Sequence, residues 1–229
     1  VETYWLAECE KFTGKTMARL GGSYDGMVDE LQSDGISSPR AIEKIDDPFI
    51  RSLIVKIIEQ QQKEGQLNDT TPNREYRSTG AILVFLPGMV EIESLARCLH
   101  DKGTIVGNRD VCNILKLHST IPKSDQVRVF EPAIKGTVKI ILSTNIAETS
   151  LTISDVSCVI DTCRVKESRY QSSSRIKELV TVWTSHAAMN QRTGRAGRTS
   201  NGICYRLCSE EFARDKLLPH TPPEMIRAP

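Results

Sequence analysis

Three apolar runs set the tightest limit on what this chain can become: Ala81-Ile82-Leu83-Val84-Phe85-Leu86, Val138-Lys139-Ile140-Ile141-Leu142 and Val156-Ser157-Cys158-Val159-Ile160. Runs that lack polar alternation predict strands buried on both faces, and such strands belong almost entirely to parallel sheets covered by helices. The intervening sequence supplies the covers. Phe49, Ile50, Leu53, Ile54, Ile57 and Ile58 recur at helical spacing, as do Ile92, Ala96 and Leu99. A further strand is expected over Val111 to Leu117, a short helix over Asp125 to Phe130, and a last strand over Gly202 to Leu207. Two shorter runs between Arg164 and Trp183 flank Gln171-Ser172-Ser173-Ser174-Arg175 and read as a projecting β-hairpin. The fold class is therefore α/β, and in such sheets ligands gather at the carboxyl ends of the strands. The polar clusters at Gly88, His118-Ser119 and Ser143-Thr144-Asn145 occupy those ends.

A second feature narrows the chemistry. Gln191-Arg192-Thr193-Gly194-Arg195-Ala196-Gly197-Arg198 carries three arginines and two glycines. Read as the start of a helix, it puts Gln191, Arg195 and Arg198 on one face. Guanidinium groups stay charged and offer paired donors, which suits phosphate. Each glycine costs a helix interior about 1 kcal/mol relative to alanine, which points to close approach of a ligand or a neighbouring backbone. The octamer also fits a basic surface helix for nucleic acid, or an import signal.

Composition excludes several classes. Among 229 residues, 39% are hydrophobic and 26% charged, with a net charge of +1, so any nucleic-acid contact must come from local patches. The seven cysteines form no Cys-x-x-Cys pair and no zinc spacing, which suits a reducing, intracellular compartment, cytoplasmic or nuclear. No apolar run reaches membrane-span length, and no signal-peptide profile opens the chain. Thr13-Gly14-Lys15-Thr16 suggests a Walker A loop, but Cys9 stands where that loop needs its first glycine. His118 and Glu91 read as structural, and no metal-ligating set stands out. The chain begins without methionine and stops at Ala228-Pro229, as expected of a piece cut from something longer.

Together these motifs resemble superfamily 2 helicases of the DEAH-box, RNA helicase A-like branch. The octamer is similar to motif VI, Ser143 to Ile153 to motif V, Phe85-Leu86-Pro87-Gly88 with Glu91-Ile92 to motif IV, and Leu117-His118-Ser119-Thr120 to motif IVa. The resemblance implies a second RecA-like domain, with a P-loop NTPase-type three-layer fold, a mostly parallel sheet and a protruding β-hairpin. It places that domain at 47–213, after a lead-in at 1–46, with a connector at 214–229 toward a winged-helix region.

It also implies roles. Arg195 and Arg198 become catalytic finger candidates, and Gln191, Gly194, Arg195, Arg198, Thr152, Ser154 and Asp155 become nucleotide contacts. In many members an aspartate follows the Thr-Ile of motif V directly; here Ser154 takes that place and Asp155 comes next. Gly88, Ser119, Ser143, Thr144 and Asn145 become contacts to single-stranded RNA, and Arg192, off the shared face, is expected to hold interdomain or motif V contacts. ATP with Mg2+ would bind mainly to a first RecA-like domain of the same parent chain. The segments at 21–46 and 63–79 read as irregular insert and surface loop. The competing reading is an inactive relative that uses the domain as an RNA clamp or scaffold; a kinase-like enzyme using Lys15 is disfavoured by Cys9.

Overall fold

In the computed structural model, residues 1–18, 44–67, 80–101, 103, 105–108, 111–134, 136–149, 152–171, 176–198 and 201–223 are described. Most of the insert and surface-loop stretches, the hairpin tip and the final six residues lie outside them.

Buried, β-branched residues make the strands, and each apolar run forms one. In chain order the elements are β1 (Glu2–Tyr4), α1 (Leu6–Thr13), α2 (Asp47–Leu67), β2 (Ala81–Phe85), α3 (Met89–Leu99), β3 (Cys112–Leu117) and α4 (Lys123–Val127). There follow β4 (Val138–Ser143), α5 (Ile146–Thr149), β5 (Val156–Asp161), β6 (Arg164–Gln171), β7 (Ile176–Trp183), α6 (His186–Thr193), β8 (Ile203–Arg206) and α7 (Glu210–Lys216). Six strands form one parallel sheet in the order β1-β8-β5-β2-β4-β3, while β6 and β7 pair as a separate antiparallel hairpin.

Because side chains alternate along a strand, the sheet has two apolar faces. Ile82, Val84, Ile140, Leu142, Cys158 and Ile160 face α1, α2, α3 and α7, joining Phe49, Leu53, Ile54, Leu95 and Phe212 in one core. Each such fully buried side chain contributes roughly 1.5–3 kcal/mol. Leu83, Phe85, Ile141 and Val159 face the other way, onto Val129, Ala147, Ile153 and Ala196. The second cover is short helices and turns.

Three elements differ from expectation. The segment expected only to lead in supplies β1, whose Glu2 to Tyr4 pair with Ile203 to Tyr205 of β8, and α1, whose Leu6 and Cys9 enter the core. The chain also continues past the last strand into α7, capped by Ser209 accepting from the Phe212 amide. Among the described residues, no helix is long and apolar enough to cross a membrane.

Candidate nucleotide and nucleic-acid sites

Register fixes where the polar clusters meet. Leu117, Ser143, Phe85, Asp161 and Arg206 lie side by side across the sheet, one per strand, at the carboxyl ends. The residues that follow them therefore emerge along one edge: Ser119 after β3, Thr144 and Asn145 after β4, and Gly88 after β2. Ser119 and Asn145 are exposed, whereas Ser143, Thr144 and Gly88 are buried. The Ser143 hydroxyl donates to the Thr144 carbonyl at 2.9 Å, so it shapes the turn rather than facing outward. Gly88 is the N-cap of α3, and a Cβ there would meet Lys166 Nζ at 2.8 Å. Lys166 in turn donates to Glu91 at 2.9 Å, which pins the hairpin base to α3. A cavity of about 380 Å³ opens here, lined by Asn145, Glu148, Lys166, Glu167, Thr184 and Arg192 among others.

The arginine octamer lies at the end of a helix, not at its start. Ser185 caps α6 by accepting from the Ala188 amide at 3.3 Å, and regular helix stops at Thr193. Beyond it the chain tightens, with the Arg195 and Ala196 amides donating to the Arg192 and Thr193 carbonyls. The early cap explains the shift, since His186-Ala187-Ala188-Met189 starts the helix one turn ahead of the octamer. Gly194 and Gly197 thus escape a helix-interior cost, and an added Cβ at Gly194 would find only ordinary contacts. The close backbone approach falls to Gly202, whose Cβ position is occupied by the Ala196 backbone.

The three arginines separate by environment. Arg192 is only 1% exposed. Its Nε donates to Glu148 at 3.1 Å and its Nη1 to Asp161 at 2.8 Å, while its guanidinium lies 5.0 Å from the centre of the Phe85 ring. Burial disfavours its charge, but Asp161 and Glu148 together outweigh that and hold it above the ordinary arginine value. Glu148 responds oppositely: burial pushes its carboxyl up, against the pull of Arg192. This joins α5, β5 and α6 in one buried ionic cluster. The motif V contact expected of Arg192 is present through Glu148.

Arg195 is half-buried and Arg198 exposed, and both lie over the same turn. Arg195 donates to the Glu148 carbonyl, and Arg198 Nη1 donates to Thr152 Oγ1 at 2.7 Å. Burial, followed by the charge of Arg198, lowers the Arg195 guanidinium below its ordinary value. Gln191, Gly194, Thr152 and Ser154 are exposed. Asp155, expected as a nucleotide contact, also pairs inside the fold. Its carboxylate lies 2.7 Å from the buried Lys139 ammonium, and its carbonyl accepts from the Ala81 amide. That pairing ties the start of β5 to β2 and β4, so its carboxylate is engaged inside the fold.

Sequence reasoning missed Asp161, although a single acid closing a buried strand is the available signal. It also missed Arg206, which binds Asn190 and Thr193 and stacks over Trp5. The connector was expected as a simple exit; the Leu218 and Pro219 carbonyls instead accept from the His186 and Ala187 amides at the α6 start.

The profile of the helicase conserved C-terminal domain matches residues 62–200. The chain belongs to that helicase family. It is the second RecA-like domain of a superfamily 2 helicase of the DEAH-box kind. The zebrafish (Danio rerio) protein "ATP-dependent RNA helicase TDRD9" is 35% identical over 229 residues, covering 100% of this chain and 16% of its own length. "ATP-dependent RNA helicase dhx29" of Xenopus laevis is 42% identical over 156 residues, or 68% of this chain and 11% of its own length. In structure, the E. coli DExH-box NTPase HrpB superposes with a TM-score of 0.62 at 28% identity, covering 84% of this chain and 21% of that one. The helicase domain thus spans a small part of the relatives it matches.

Proposed function

We propose that this helicase domain forms one wall of an ATP site, presents Arg195 and Arg198 to the phosphates, and holds single-stranded RNA along the carboxyl edge of its sheet. One observation carries the reading. Two guanidiniums are fastened to the motif V turn, one to the Glu148 carbonyl and one to Thr152, and burial first, then the charge of Arg198, lowers Arg195. A phosphate between them relieves that repulsion, and negative charge that grows during hydrolysis is stabilised more than the ground state. The relatives named as ATP-dependent RNA helicases support the choice of ATP and RNA.

The residues divide the work. Gln191 and Gly194 set the approach to the arginines, and Thr152 and Ser154 border the same surface. Asn145 and Ser119 offer exposed side chains to the RNA backbone, while Gly88, Ser143 and Thr144 shape the turns that present it. Magnesium, when bound with ATP, would supply charge neutralisation to the phosphates. Among the described residues no group of three His, Cys, Asp or Glu side chains could hold a metal. The donor set fits the triphosphate, and the ion falls to the phosphates and the first RecA-like domain.

The test is RNA-stimulated ATPase in the full-length parent. Arg195→Ala and Arg198→Ala are each expected to reduce turnover by about 10³-fold or more, the usual scale of an arginine finger. Wild-type turnover in both would overturn the assignment. The 229-residue chain alone is expected to show no ATPase activity.

A further inference from the structure

Two thiols outside the nucleotide face lie against one another. Asp161 and Arg206 are register partners at the ends of β5 and β8, and Cys163 and Cys208 each follow two residues later, beyond the paired strands. Both cysteines are fully buried, and Cys208 Sγ lies 3.2 Å from Cys163 Sγ. A bond requires the sulfurs to close by roughly 1.2 Å.

The pair is wired to the arginine cluster. The Cys163 amide donates to Asp161 Oδ1 at 2.8 Å, the same oxygen that receives Arg192 Nη1. Cys163 also has φ 59, the left-handed region that a side chain rarely adopts, so its backbone has little room to follow a pull on its sulfur.

We propose that Cys163 and Cys208 form a reversible disulfide under peroxide and that the bond displaces Asp161 from Arg192, weakening the link between motifs V and VI. One thiolate attacks peroxide to give a sulfenic acid and hydroxide. The second thiol attacks that sulfur, the S–S bond forms and the sulfenic oxygen leaves as water. Overall two thiols and one peroxide give one disulfide and two waters. Burial, and after it the neighbouring Cys208 thiol, push the Cys163 thiol up, so oxidation is slow at neutral pH and quickens as pH rises.

The activity consequence rests on the ATPase reading above; the cross-link does not. The folded, full-length parent is titrated with hydrogen peroxide, quenched in acid, alkylated, digested and mapped by mass spectrometry. Expected is a dithiothreitol-reversible peptide joining Cys163 to Cys208, absent in Cys208→Ser and Cys208→Ala, with a several-fold fall in RNA-stimulated ATPase only where the link forms. Failure to form the link while other cysteines oxidise, or formation only in urea, overturns the proposal. A link without loss of turnover overturns the coupling. A reduced parent without ATPase activity overturns the functional reading and leaves the cross-link to be judged by mass alone.

Discussion

One face of the sheet is sealed by α1, α2, α3 and α7 with side chains such as Phe49, Leu53 and Ile54; the other is covered by the four-residue α5, the end of α6 and an ion cluster. The first cover is apolar and continuous, so its stability comes from burial. The second leaves Arg192 buried between two carboxylates, and it carries Arg195 and Arg198 outside. A buried ion pair adds little over well-packed apolar groups, but breaking it is costly, so such a cluster fixes geometry more than it adds stability. The face that carries the proposed site is the face built from polar parts.

The comparison can be broken at each layer. Arg192→Met leaves the Asp161 carboxylate buried beside an apolar side chain. The expected loss is about 3–5 kcal/mol in urea unfolding, with most of it recovered by adding Asp161→Asn. Failure of the double variant to recover would show that the cluster acts through packing alone. Ile54→Ala, on the sealed face, is expected to cost about 2–5 kcal/mol while turnover per folded molecule in the parent stays at wild type. A matching fall in turnover would mean that the two faces are not separable.

The smallest effect is in pH. Burial raises the folded-state pKa of Glu148 above the ordinary glutamate value. The native state therefore holds that proton longer than the unfolded chain does. Its contribution is fully present below the ordinary value and is lost as pH rises through the raised one. As pH rises above the ordinary glutamate value, wild type is expected to lose stability relative to Glu148→Gln, by an amount on the scale of about 1.4 kcal/mol per pKa unit. Parallel curves would remove burial as the cause.

The sealed side of the fold was legible because β2, β4 and β5 are continuous apolar runs and α2 repeats at helical spacing. The strand β1 was not, since Glu2-Thr3-Tyr4 has no apolar pattern and exists as a strand through its pairing with β8. The carboxyl-edge clusters were legible from position alone. The burial of Arg192 was not, because nothing local marks which of three arginines will meet Asp161, which is 31 residues away in sequence. The octamer lies at the end of its helix rather than the start because Ser185, an ordinary N-cap, starts α6 early. The ion pair of Asp155 was hidden for a related reason: its partner Lys139 lies inside an apolar run and gives no sign of itself as an ion-pair partner.

The central claim is that one octamer holds a structural arginine and two catalytic ones. It is tested most directly by measuring RNA-stimulated kcat and thermal midpoint together in the full-length parent for Arg192→Met, Arg195→Ala and Arg198→Ala. The account predicts that Arg195→Ala and Arg198→Ala lose kcat by about 10³-fold or more with the midpoint of this domain unchanged, while Arg192→Met lowers the midpoint by several degrees. Wild-type kcat in Arg195→Ala and Arg198→Ala, or an unchanged midpoint in Arg192→Met, would contradict it.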